Sequence, residues 1–197
     1  MTDLVVGEDG LARCAWSAAA PEYVAYHDDE WGRPCHGDVP LFERLTLEAF
    51  QSGLSWLTIL RKRDAFRAAF AGFSIEAVAE FDDADRERLM SDVGIVRNRA
   101  KIAAAVTNAR ASRALAEVRG PDALDALVWS FAPTSAASRA ARPRSAAEVA
   151  ASTPESTALA RELKRHGFVF VGPTTAYAAM QACGVVDDHL QGCHTTP

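Results

Sequence analysis

The sequence predicts an all-α fold, and three observations carry that prediction. Apolar residues recur at helical spacing along most of the chain, the period of helices with one buried face. These runs are preceded by Asp, Ser or Asn and followed by Gly or Gly-Pro, the residues that start and stop helices. Phe168 to Val171 is the only strand-like run, too short to imply a sheet. A length of 197 residues suits one domain with a substantial core. We expect a single helical domain over 13–197, preceded by a short extension over 1–12.

The elements follow in order. Asp38 is placed to cap a helix that carries Leu41, Phe42, Leu45 and Ala49 on one face. Ser55 caps a second, with Trp56, Leu57, Ile59, Leu60, Phe66 and Phe70. Ser74 and Asp82 open two short helices, the second ending near Asp92. Asn98 opens a long helix through Ile102, Val106 and Ala109, stopped by Gly120 and Pro121. Asp122 starts another that ends near Phe131. The stretch 132–153, rich in Ala, Ser, Arg and Pro, reads as a surface loop, with Ser145 and Glu148 as a capping box for one short helix. A helix then runs from Pro154 to His166 and closes on Gly167; the last spans Pro173 to Cys183, with Gly184 past its end.

Composition narrows the class. No apolar run approaches the ~20 residues that span a bilayer, and the N-terminus lacks a basic-then-apolar leader, so a cytoplasmic protein is expected. Four cysteines without an export signal point to metal binding or free thiols over disulfides. A net charge of -5 argues against nucleic acid as a partner, because Lys and Arg supply the affinity for phosphate. The distribution modifies this. Residues 61–113 hold eleven bases against eight acids, whereas residues 1–60 hold three bases against ten acids. The middle third is therefore the expected phosphate-facing part.

Two runs, Tyr23 to Gly32 and Leu47 to Trp56, concentrate aromatic rings and acids in a chain only 8% aromatic. Trp16, Tyr23, Tyr26 and Trp56 could sandwich a flat, electron-poor ring whose edge Glu48 reads. The alternatives are an aromatic core and a surface Glu48 facing Arg44. The segment Val93 to Ile102 has the form of a helix–hairpin–helix element, about 83–119 in all. Gly94 is free to take φ > 0, and the N–H groups leading into the Asn98 helix can grip a phosphate beside Arg97, Arg99 and Lys101. A tight turn between any two helices looks similar, and Val96 stands where a second glycine is usual. Cys14, His27, His189 and Cys193 could form one four-ligand metal site from both ends of the chain, or stand as separate thiols and histidines. His194 is a substitute ligand in the first case.

Taken in series, the segments Arg13-Cys14-Ala15-Trp16, Tyr26-His27-Asp28-Asp29-Glu30-Trp31-Gly32, Leu41-Phe42-Glu43 and Gln51-Ser52-Gly53-Leu54-Ser55-Trp56 resemble the DNA-3-methyladenine glycosylase I family. So do Gly94 to Ile102, Val128-Trp129-Ser130-Phe131, Gly167 to Gly172 and Met180-Gln181-Ala182-Cys183-Gly184 through Asp188-His189. The resemblance covers about 13–193; residues 1–12 and 132–153 have no counterpart in it, and the chain ends without the extra cysteines some relatives carry after Cys193.

That resemblance implies a helix–hairpin–helix base-excision enzyme with a structural zinc on Cys14, His27, His189 and Cys193. It implies action on double-stranded alkylated DNA with release of free 3-methyladenine; a monomer with no membrane partner is expected besides. Glu48 would read the exocyclic amine, Trp16, Tyr23, Tyr26 and Trp56 would hold the base, and Leu54 on the Gly53 turn would wedge into the duplex, with Gly94, Arg97 and Lys101 on phosphate. Asp122 and Asp125, near where wider relatives keep a catalytic aspartate, read instead as helix-start residues. Two alternatives are a non-catalytic module for distorted DNA and a zinc hydrolase or deaminase; the second lacks the His-x-Glu and Cys-x-x-Cys pattern it needs.

Overall fold

Short turns join helices through most of the computed structural model, which describes residues 3–134 and 142–195. The chain enters as an antiparallel ribbon of β1 (Leu4–Val6) and β2 (Ala12–Cys14), with Leu4 opposite Cys14. It continues through α1 (Pro21–Asp29), α2 (Asp38–Gln51), α3 (Trp56–Ala69), α4 (Ile75–Ala79), α5 (Asp83–Ser91), α6 (Arg99–Arg119) and α7 (Ala123–Trp129). Residues 135–141 of the expected 132–153 loop lie outside the described residues; past them come a 3₁₀ turn (Ala146–Glu148), α8 (Pro154–Arg165) and α9 (Pro173–Ala182). The mostly helical architecture agrees with the expected class. Among the described residues, no helix is long and apolar enough to cross a membrane.

Side-chain chemistry sets most of the helix starts. Ser55, Ser74 and Asn98 accept hydrogen bonds from the N–H groups of Thr58, Ala77 and Lys101, and Asp82 forms a full capping box with Asp85. Asp38 behaves differently from the expectation. It lies inside α2, and its Oδ1 accepts from the Asp125 N–H of α7 at 2.9 Å. Asp125 returns the bond, accepting from the Gly37 N–H at 2.9 Å. Each aspartate thus caps the other's helix. Asp122 sits at φ 57° before α7 and makes no side-chain cap, so its expected role is corrected. Ser145 makes none either, because Glu148 accepts from the Arg144 N–H instead.

The strand expectation is also corrected. Phe168 to Val171 forms no strand, since the Asn108 side chain takes both backbone groups of Val169, at 2.8 and 3.1 Å, that a neighbouring strand would need. The ribbon lies instead in the N-terminal segment, where Gly10 at φ 77° makes the turn.

The core gathers Phe42, Phe50, Phe66, Phe70 and Phe73 from α2, α3 and the following 3₁₀ turn, closed by α6 through Ile102, Ala105, Val106 and Ala109. Phe70 and Phe73 stack with centroids 5.6 Å apart. α2 packs against α3, α6, α7 and α9 and so sits near the middle of the molecule, which matters because it carries Glu48.

The reciprocal caps yield a first prediction. Asp38→Ala and Asp125→Ala should each destabilise by about 0.5–2 kcal/mol. The double variant should lose less than the sum of the two, measured by urea unfolding, because both bonds join the same pair of helix ends.

Candidate active site and metal cluster

A cavity of 220 Å³ opens where α1, α2, α3 and α9 meet. Trp16, from the 3₁₀ turn after β2, stands edge-on to Tyr23, Tyr26 and Trp31 at centroid distances of 5.6, 6.4 and 5.1 Å. Trp56, the first residue of α3, lies 5.4 Å from Tyr26. All four rings expected to line the site do so, and Glu48 lines it with them. Trp31, Gln51, Ala178 and Gln181 also face the cavity and went unassigned in the sequence. Trp31 shares the acidic aromatic run with Tyr26, which is a readable signal. Gln181 comes from a distant helix, and no local pattern marks it.

Glu48 is 6% exposed, and no described residue hydrogen-bonds its carboxylate. The Arg44 partner considered from the sequence turns elsewhere. Its Nη2 donates to Glu30 at 2.7 Å, and Arg63 completes that site with two bonds to the same carboxylate at 2.5 and 2.7 Å. Burial pushes the Glu48 carboxyl up to about 8, against a smaller opposing pull from Arg44. The Trp56 indole N–H is likewise buried and without a partner. Unpaired polar groups of this kind cost free energy and mark places where a ligand completes the hydrogen bonding.

Behind Trp16 and Trp31 lies the second feature. Cys14 ends β2, His27 is on α1, and His189 and Cys193 follow α9; all four are buried and their ligand atoms lie within 4.8 Å of one another. Cys193 Sγ is 3.4 Å from His27 Nε2 and 3.7 Å from His189 Nδ1, and Cys14 Sγ is 3.9 Å from His189 Nδ1. A tetrahedron with metal–sulfur bonds of ~2.3 Å and metal–nitrogen bonds of ~2.0 Å has edges of roughly 3.3–3.8 Å. The outer nitrogens are held as metal-bound imidazoles usually are: His27 Nδ1 by Asp28 at 2.7 Å and His189 Nε2 by the Trp31 carbonyl at 3.0 Å. Burial lowers both imidazoles, His189 to about 4, which keeps them neutral and able to ligate. Burial, helped by Cys193 alongside, pushes the Cys14 thiol up to about 12, a cost that a cation would remove. These four residues can hold a metal ion. His194 stands outside the set, on Asp28 at 3.0 Å.

The remaining expected site residues divide. Gly53 takes φ 81° at the turn between α2 and α3, and Leu54 beyond it is 42% exposed. Gly94 does not adopt positive φ; it is needed because a Cβ there would meet Asp92 Oδ1 at 2.9 Å and the Ala65 Cβ at 3.0 Å. Arg97 is exposed and unpaired among the described residues, whereas Arg99 is engaged by Glu87. Lys101 departs from expectation most. Rather than pointing to solvent as a phosphate contact, its Nζ is turned inward onto the carbonyls of Phe50 and Ser52 at 2.9 and 2.6 Å.

The fold and site together define a helical protein with an aromatic pocket floored by a carboxylate. Comparison makes this specific. Residues 16–196 match the methyladenine glycosylase family. The chain is 44% identical over 187 residues to DNA-3-methyladenine glycosylase 1 of Escherichia coli (strain K12), covering 95% of this chain and 98% of that one. A crystal structure of 3-methyladenine DNA glycosylase I superposes with a TM-score of 0.87 at 44% identity, covering 94% of this chain and 100% of that one. A 3-methyladenine DNA glycosylase I variant in complex with 3-methyladenine gives 0.86 at 34% identity, covering 94% and 97%. The chain belongs to the methyladenine glycosylase family.

The raised Glu48 carboxyl makes a prediction about stability. The unfolded chain loses this proton near its ordinary value of 4.5, while the folded protein keeps it to about 8. Between those values the folded state binds more protons, so stability falls as pH rises, by up to roughly 1.4 kcal/mol per unit from this group. Glu48→Gln should remove that fall and be more stable than the parent at pH 8, read by urea unfolding across the window.

Proposed function

We propose that this chain removes 3-methyladenine from alkylated double-stranded DNA by hydrolysing its N-glycosidic bond. The observation that carries the reading is Glu48, buried and unpaired on the floor of an aromatic cavity. A cationic purine with an exocyclic amine supplies what that carboxyl lacks. The amine donates to it, and the ring's positive charge favours the ionised form that burial disfavours. Guanine would set its O6 against the same carboxylate, lone pairs facing lone pairs.

Methylation at N3 places positive charge on the base and weakens its bond to the sugar, so the leaving group departs without a strong general acid. The protein's share is to extrude the nucleotide, hold the cation and admit water. Cation–π contacts with the faces of Trp16, Tyr26 and Trp56 add roughly 0.5–2 kcal/mol each, and Tyr23 contributes a hydroxyl. We assign Leu54, held out on the Gly53 turn, to the gap left in the duplex. The loop between α5 and α6 is assigned as the hairpin of a helix–hairpin–helix element, with free Arg97 toward phosphate. Asp125 is spent on the α2–α7 caps and is given no catalytic role.

We assign zinc to the cysteine–histidine cluster on its soft sulfur and imidazole donors. Four protein ligands fill a tetrahedron, so the ion is structural: it ties the two ends of the chain together and takes no part in the reaction. Four free cysteines suit the reducing cytoplasm, and we treat the protein as a monomer.

Two predictions test this reading. Chromatography of bases released from methylated duplex DNA should show 3-methyladenine, and Glu48→Gln should lower kcat/KM by roughly 10- to 150-fold, the worth of one charge-assisted hydrogen bond. Because the free carboxyl titrates near 8, kcat/KM of the parent should climb with pH toward that value. A folded Glu48→Ala protein as active as the parent would falsify the assignment. For the cluster, purified protein should carry one zinc per chain by elemental analysis. Cys193→Ala or His189→Ala should lose the metal and depress Tm far more than the turnover of the protein that stays folded.

A further inference from the structure

We propose that Lys101 is a positioning residue for duplex opening: it locks the turn that presents Leu54 to the hairpin loop, and it does not contact phosphate. The inference rests on the reading of this chain as a glycosylase that opens duplex DNA.

Helix α2 ends at Gln51, and a helix end leaves its last carbonyls without intrahelical donors. Here each is taken. The Gln51 carbonyl accepts from the Leu54 N–H at 2.6 Å, closing the Gly53 turn. The Phe50 and Ser52 carbonyls, on either side, both accept from Lys101 Nζ. One ammonium from the first turn of α6 therefore completes the cap of a helix about fifty residues earlier in sequence, where the helix dipole also favours positive charge. Lys101 is 8% exposed, so its position is set by packing as well as by these bonds.

A second lysine makes the reverse connection. Lys62, on α3, donates to the carbonyls of Val93 and Gly94 in the α5–α6 loop at 3.0 and 3.1 Å. The hairpin side thus holds the wedge turn through Lys101, and the wedge side holds the hairpin loop through Lys62. The two segments behave as one rigid body. Register of the hairpin on the phosphate backbone then fixes how deeply Leu54 enters the stack. Without the strap, Gly53 lets the turn swing, and insertion has to supply the lost ordering.

The test compares Lys101→Met, Lys62→Met and Arg97→Ala with the parent. Four measurements are made: the salt dependence of binding to undamaged duplex, binding of free 3-methyladenine, and excision from a fully paired duplex and from one with an abasic site opposite the lesion. An abasic site weakens stacking and pairing beforehand, so a protein that has lost wedge control should recover on it. A purely structural defect would affect both substrates alike. For Lys101→Met we expect an unchanged salt slope, free-base binding within about twofold, at least about a tenfold loss on paired duplex, and recovery to within about threefold on the abasic partner. A salt slope reduced by about 0.9 would show a phosphate contact and overturn the proposal; so would an equal loss on both substrates. Should Lys101→Met not fold, the same two outcomes are read from Lys101→Gln, which removes the charge but keeps a polar donor for the buried carbonyls. Arg97→Ala should itself lower the salt slope, and if it does not, the hairpin reading fails independently of Lys101. A parent protein that releases no base from either substrate refutes the glycosylase reading instead.

Discussion

The closure of Cys14, His27, His189 and Cys193 into one buried cluster is the constraint on which the rest of the site depends. It joins residues that are up to 179 positions apart, and its members stand beside the pocket rings: Cys14 two residues before Trp16, His27 directly after Tyr26. Trp16 lies 5.2 Å from His27, and Trp31 lies 4.7 Å from His189. The pocket wall is therefore the outer surface of the cluster. Asp28 extends the same arrangement, because the carboxylate that orients His27 is itself held by Arg13 at 2.7–3.0 Å. A metal held there would act on a ligand in the pocket only by fixing where the aromatic faces stand, which is how a coordinatively filled ion can matter to a neighbouring site.

Against that rigid wall, the floor is kept under tension. Arg44, Tyr26 and Trp56 stand near Glu48, yet none hydrogen-bonds it, and Arg44 only partly offsets the cost of its burial. Arg44 and Arg63 converge on Glu30, whose carboxyl is held down to about 2; burial acts to raise it, and the two guanidinium groups outweigh that. The Trp56 N–H is buried and has no acceptor. The folded protein thus carries two uncompensated polar groups, the Glu48 carboxyl and the Trp56 N–H, in one cavity. A stable core would have eliminated them, and a binding site needs them.

What could be read in the sequence was local. Ser55, Ser74, Asp82 and Asn98 are caps because a cap acts over three residues of the same chain, so its signature lies in one short window. The aromatic lining was legible for a related reason: Trp16 to Trp56 falls within a single stretch, and four of the rings meet across adjacent elements. The failures share the opposite property. Asp38 looks like an N-cap in its own window but bonds Asp125, and Lys101 looks like one more base in a charged segment but turns onto a helix end about fifty residues away. Val169 reads as strand until Asn108, from α6, takes its backbone groups. In each case a partner remote in sequence decides the outcome, and pattern reading has no access to it.

Two glycines show how tightly pocket and cluster are tied together. Gly32 takes φ 78°, and a Cβ there would stand 2.8 Å from His189 Nε2. Gly184 takes φ 68°, and a Cβ there would fall 2.6 Å from the Gly32 carbonyl oxygen. Between these contacts, the Gly32 N–H donates to the Gln181 carbonyl at 3.1 Å and the Cys35 N–H to that of Cys183 at 3.0 Å. The segment after α1 thus runs along the end of α9 at backbone-to-backbone distance. That approach carries Gln181 to the pocket edge and brings the Trp31 carbonyl within reach of the outer nitrogen of His189. Side chains at either glycine would force the two segments apart, and because these segments carry the Trp31 carbonyl that holds His189 and the wall residue Gln181, cluster and pocket would be disturbed together.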